Sequence, residues 1–129
     1  MDNLLIEKTI STPCISFDAS NNLLQITGES FPENASKFYS TSLKWLNEYV
    51  SLLKGEEVVL EFEIIYFNSS TSKIFMTILS MMDEAVNHGK NITVNWRCDE
   101  RNEIAIECGE EFKEDLICLP FNIVIYKGV

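Results

Sequence analysis

The chain contains a single histidine, His88, so it lacks the material for a histidine-rich metal site, and no nucleophile stands beside a base. Its four cysteines, Cys14, Cys98, Cys108 and Cys118, form neither a C-x-x-C pair nor a Cys/His cluster. The even interval between the last three has no ligand geometry behind it. Reduced thiols packed as small apolar residues are the reading, with no metal and no cofactor. A glycine-rich phosphate cradle is also missing. Uninterrupted apolar runs are too short to span a bilayer, and Met1-Asp2-Asn3 does not open a signal peptide. Cations are scarce: ten Lys and Arg face twenty Asp and Glu, a net charge of −10. Such a surface repels nucleic acid and anionic lipid, so neither nucleic acid nor membrane is an expected partner. It is compatible with a protein partner that has a basic docking face, although solubility alone also explains it and is the favoured reading. The expected location is the cytoplasm.

What is present is an apolar fraction of 46% spread along 129 residues, enough for one core without staples. No linker, repeat or low-complexity tract divides the chain, so residues 1–129 are expected to form a single domain. Cys14 to Phe17 and Leu23 to Thr27 read as strands joined by the turn Ala19-Ser20-Asn21-Asn22. From about Asn34 to Lys54, Phe38, Tyr39, Leu43, Leu46, Tyr49, Val50 and Leu53 recur at helical spacing, with Gly55 as the expected stop. Its start is placed at Pro32 or at an Asn34 cap. Val58 to Phe67 alternates as a strand, with Tyr66 assigned to the core face and Phe67 to the outer face beside Glu61 and Glu63. A second helix spans about Ser70 to His88, its buried stripe running from Thr71 to Val86. His88 lies in its last turn, where a cation interacts with the helix dipole. A strand over Asn91 to Arg97 follows. A short helix capped by Asp99 and a weaker piece around Glu110 to Leu116 come next, then a strand over Phe121 to Tyr126.

The order β-β-α-β-α-β-α-β predicts right-handed crossovers growing in one direction. The expected fold is therefore α/β in two layers. It has a mostly parallel central sheet, an N-terminal hairpin, and helices on one face. Parallel strands end on a common edge, where open α/β sheets place function. Three loops should meet there: Gly28 to Asn34, Asn68 to Ser72, and Cys98 to Asn102. In the middle loop four hydroxyls occupy a helix N-terminus, whose unpaired amides and dipole favour an anion. Plain N-capping accounts for the same residues.

At this point the chain resembles the SiaC-like regulatory phosphoproteins of bacterial partner-switching systems. The resemblance rests on Ser11-Thr12-Pro13, Gly28 through Asn34, Tyr66-Phe67-Asn68-Ser69-Ser70-Thr71-Ser72-Lys73, Trp96 through Glu103, and Glu110 through Asp115. It implies a STAS-like fold and anti-sigma-factor-antagonist logic, hence a non-enzymatic signalling switch connected with biofilm regulation. It implies three protein partners: an anti-sigma-factor-like kinase, a PP2C-like phosphatase, and an effector such as a diguanylate cyclase. The family's acceptor threonine, directly after the asparagine, corresponds to Ser69, with Ser70 and Thr71 as alternatives. Expected partner-binding residues are Glu29, Ser30, Pro32, Glu33, Asn34, Asn68, Ser70, Asp99 and Asn102. Glu29, Glu33, Asp99 and Glu100 are expected around the acceptor. A small-molecule or nucleotide-binding domain using the same edge is the alternative reading.

The cysteine spacing generates a direct test. All four thiols should react with a thiol reagent after denaturation without reductant, and metal analysis should find no stoichiometric zinc. A bridge or a bound zinc ion would overturn the packing account.

Overall fold

The structure is a computed structural model that describes residues 1–128. Its elements are β1 (Leu4–Ile6), β2 (Cys14–Asp18), β3 (Leu23–Ser30), α1 (Ala35–Leu52), β4 (Glu57–Phe67), α2 (Ser69–Asn87), β5 (Asn91–Asp99), α3 (Glu103–Glu114) and β6 (Phe121–Tyr126). They build one six-stranded sheet in the order β1-β2-β3-β4-β5-β6. β1, β2 and β3 pair antiparallel, and β3 through β6 pair parallel. Each parallel crossover steps to the next neighbour in the same direction, so right-handed connections put all three helices on one face. Burial agrees with that placement. Leu60 and Phe62 of β4, and Val94 and Trp96 of β5, are fully buried under the helices. Their neighbours on the other face form a polar ladder: Gln25 donates to Glu61 at 3.1 Å, and Arg97 pairs with Glu63 at 3.0 Å. The mostly parallel, one-faced architecture expected from the sequence is the one observed.

Several local expectations are corrected. β1 is an additional strand, paired with β2 through Leu4, Leu5 and Ile6. α1 starts behind an Asn34 cap, as one of the two expected starts has it, but ends at Leu52. Leu53 is already extended, and Gly55, at φ 119°, makes the turn beyond. The two short helical pieces near the C-terminus are one helix, α3, and its cap is Asn102 rather than Asp99. The Asp99 carboxylate is occupied by Arg101, accepting from its backbone amide at 2.9 Å and its guanidinium at 2.8 Å. His88 is the C-cap of α2, with Nδ1 2.8 Å from the Glu84 carbonyl. Of the four free cysteines only Cys98 is buried, which pushes its thiol up to about 11. Cys14 and Cys108 are half-buried and Cys118 is exposed, so packing does not account for Cys118.

Gly109 sits inside α3, where glycine costs helix stability, and the reason is the ring beneath it. A Cβ at this position would lie 2.5 Å from Cδ1 of Trp96. Trp96 is 1% exposed, and its Nε1 donates to the Ala105 carbonyl at 2.8 Å, so the indole has nowhere to go. Gly109→Ala should therefore destabilise the fold by about 1–3 kcal/mol in urea unfolding, despite alanine's better helix propensity. Unchanged or increased stability would show that the Trp96 layer can yield.

Candidate functional site

The C-terminal ends of β3, β4 and β5 lie side by side, and all three helices begin at this edge. Each helix is capped by an asparagine whose side-chain oxygen accepts an amide. Asn34 accepts from Lys37, Asn68 from Thr71 and Asn102 from Ala105, at 3.1, 3.0 and 3.1 Å. A neutral cap satisfies one amide without cancelling the helix dipole. The first turns of α1 and α2 contain no acidic residue, so their positive ends stay uncompensated.

The start of α2 is held from below by a buried hydroxyl cluster. Ser30, Tyr39 and Thr71 are all fully buried. Ser30 Oγ lies 2.7 Å from Tyr39 Oη and 2.9 Å from Thr71 Oγ1. The Thr71 hydroxyl donates to the Ser30 carbonyl at 3.2 Å, and the Asn68 amide donates to the same oxygen at 3.1 Å. Only one direction of donation uses every proton: Tyr39 to Ser30, Ser30 to Thr71, and Thr71 to the Ser30 carbonyl. Burial pushes the Tyr39 hydroxyl up to about 12, against the opposing effect of its bond to Ser30, so it remains a donor.

A register shift shapes the same edge from the side. Gly28 pairs with Ile64, but Glu29 pairs with Tyr66, so Ile65 is an extra residue in β4. The bulge reverses the alternation expected from the sequence. Tyr66 turns outward, 54% exposed, while the half-buried Phe67 packs on Phe75 and Trp96 at ring distances of 5.4 and 5.8 Å. A bulge leaves backbone groups of the extra residue unpaired, and Asn102 supplies the missing bond. Its Nδ2 donates to the Ile65 carbonyl at 2.9 Å, tying the β5–α3 loop to the end of β4.

The three expected loops are thus brought together, but their residues divide into two groups. Glu29, Glu33, Asn34, Ser69 and Ser70 are exposed. Ser30, Pro32 and Thr71 are buried and offer little surface to a partner or a modifying enzyme in this conformation. Asn68 and Asn102 are half-buried caps. Asp99 pairs with Arg101 at 2.8 Å. With Glu63, Arg97, Arg101 and Tyr126 it lines a broad cavity of about 540 Å³ on the open face of the sheet. Arg101 holds its carboxyl at about 2. Both arginines of this cavity are paired with carboxylates, Arg97 through Nε alone. Sequence reasoning missed the apolar part of the edge: Ile10, Phe31, Ile65, Tyr66 and Ile104 are all exposed. The run Ile64-Ile65-Tyr66-Phe67 held the available signal, because strict alternation cannot bury four consecutive apolar residues.

Among known proteins, the family model described as "SiaC family regulatory phosphoprotein" matches residues 6–126. An uncharacterized protein of Pseudomonas aeruginosa strain UCBPP-PA14 is 35% identical over 124 residues, covering 95% of this chain and 96% of the other. The solved structure of SiaC of Pseudomonas aeruginosa superposes with a TM-score of 0.90 at 31% identity, covering 98% of this chain and all of that one. A second, of the diguanylate cyclase SiaD in complex with its activator SiaC, matches with a TM-score of 0.89 at 32% identity. That match covers 95% of this chain and 99% of the other.

The hydroxyl cluster predicts an order of effects in urea unfolding. Ser30→Ala leaves the Tyr39 hydroxyl buried without an acceptor and should cost about 1–3 kcal/mol. Tyr39→Phe removes that donor, leaves Ser30 bonded to Thr71, and should cost about 0.5–1.5 kcal/mol. The double variant should cost less than the sum, since no orphaned donor remains. Strict additivity would contradict the assigned direction of donation.

Proposed function

The chain belongs to the SiaC family of regulatory phosphoproteins, and from that membership we propose that it is a non-enzymatic switch controlled by phosphorylation of Ser69. The observation that carries the choice of residue is the position of Ser69. It is the first residue of α2, directly after the Asn68 cap, and it is exposed. Thr71, two residues on, is sealed in the hydroxyl cluster. Ser70 is the remaining alternative. A phosphoryl group on Ser69 would carry about −1.5 to −2 charges next to amides that no protein group accepts from among the described residues. Those amides and the uncompensated dipole stabilise the modified state, while the acidic residues Glu29, at the end of β3, and Glu33, in the loop after it, oppose it.

The proposed partners are an anti-sigma-factor-like kinase that adds the phosphate, a PP2C-like phosphatase that removes it, and an effector. SiaC of Pseudomonas aeruginosa is the activator of a diguanylate cyclase, and the effector of this chain is proposed to be an enzyme of that class. The unmodified protein is the form that binds. Its edge offers an exposed apolar strip, Phe31, Ile65, Tyr66 and Ile104, flanking a neutral hydroxyl that a partner covers at modest cost. A phosphate in the same place must lose its water, which is strongly unfavourable unless the partner supplies cations.

Calorimetry with the cyclase and enzymatically phosphorylated protein tests this reading. Ser69→Ala should bind as the parent does, and the phosphorylated parent should lose binding by at least about tenfold, or 1.4 kcal/mol. Ser69→Asp should weaken binding less, because one carboxylate has less charge and fewer acceptor oxygens than a phosphate. Equal affinity of the phosphorylated and unmodified forms would reverse the proposed direction. Modification of Ser69→Ala at the parent's rate would move the acceptor to Ser70.

A further inference from the structure

The two edges of the sheet differ in how they guard their backbone. β1 is three residues long and offers a partner little to pair with. β6 runs from Phe121 to Tyr126 with no proline, no charged residue and no register shift against β5. Its alternation of backbone groups is readable from the neighbouring strand. Val94 donates to the Pro120 carbonyl and Glu100 to the Tyr126 carbonyl, so the even-numbered residues bond β5. The amides and carbonyls of Phe121, Ile123 and Ile125 therefore point away from the sheet, and none finds a backbone partner outside it among the described residues. Ile125 is 54% exposed beside them. From Leu116 to Tyr126 the chain carries no Asp, Glu, Lys, Arg or His, although its net charge is −10.

We propose that a second copy of this chain pairs along this edge, β6 against β6, antiparallel about a two-fold axis. Water satisfies an exposed strand edge group by group, but only another extended strand matches the whole row at once, and a strand placed against itself antiparallel is complementary by symmetry. The parity of the outward groups sets the register. Ile123 faces Ile123 on the axis, and Phe121 faces Ile125, each pair exchanging both backbone hydrogen bonds. Charge selects the occupant and the place together. Two copies of an acidic chain repel over most of their surfaces, and they approach most easily where the strand is neutral. A basic partner would gain nothing from this stretch and would seek the carboxylates elsewhere. The pairing leaves the α2 start open on both copies, because β4 lies two strands inward from β6.

Sedimentation velocity of the full chain over a wide concentration range tests the pairing. The parent should shift from monomer to dimer by mass action, and the Ile123 and Ile125 amides should exchange slowly with deuterium only in the dimer. Ile123→Pro removes an outward amide without touching the β5 ladder, and an edge strand tolerates it. It should remain monomeric and folded, with a melting temperature somewhat below that of the dilute parent because Ile123 also packs against the core. Ile125→Asp, which keeps the backbone intact, should raise the dissociation constant at least about tenfold by adding charge to the neutral strand. A parent that stays monomeric at every concentration overturns the proposal. So does a folded Ile123→Pro that dimerises like the parent. If Ile123→Pro fails to fold, an Ile125→Asp dimer as tight as the parent's overturns it.

Discussion

The cluster around Ser30 sets the distance between the end of β3 and the start of α2, and the rest of the edge depends on that distance. Its carbonyl accepts from the Asn68 amide and the Thr71 hydroxyl, while its own hydroxyl lies between Thr71 and Tyr39 of α1. The consecutive elements β3 and α1 are joined to the start of α2, 41 residues further on, through one residue with no exposed surface. Buried polar groups of this kind are costly when one partner is lost, so the arrangement is narrow in geometry. With Thr71 pinned inward at the third position of α2, the helix leaves Ser69 facing solvent. Modification at Ser69 can then change the surface without opening the core.

The bulge at Ile65 does the complementary work from the strand side. It turns Tyr66 outward and Phe67 inward, and it delivers Asn68 to the position where it caps α2. Its carbonyl is recovered by Asn102, which at the same time caps α3. Bulges next to functional sites commonly re-aim side chains in this way. The result is an edge with three neutral caps, exposed apolar residues between them, and a hydroxyl at a helix start. Membership in the SiaC family and the likeness to a cyclase-bound SiaC fit that surface.

Much of this was legible in the residues. The strict alternation through Val58–Ile64 and Ile92–Trp96, and the helical spacing through Phe38–Leu53, gave the parallel sheet and its one-sided helices. Topology then brought the three loops together before any side chain was placed. Other features had no local signal. β1 is three residues that become a strand only because β2 accepts them. Asp99 and Asn102 are both competent caps, and the choice was decided by Arg101, which takes the Asp99 carboxylate. The burial of Ser30 and Thr71 depends on a hydrogen bond between residues 41 apart, which no window of sequence contains. The extra residue in β4 was hidden for the same reason, since a bulge is defined by its partner strand.

The central claim is that the fold leaves the Ser69 and Ser70 hydroxyls of the α2 start exposed, with Ser69 the proposed acceptor, and seals Thr71. Mass-spectrometric site mapping of the protein purified from its host, with phosphatases inhibited, tests it most directly. The account predicts phosphate on Ser69 and none on Thr71. Phosphate found on Thr71 in the folded protein would contradict it.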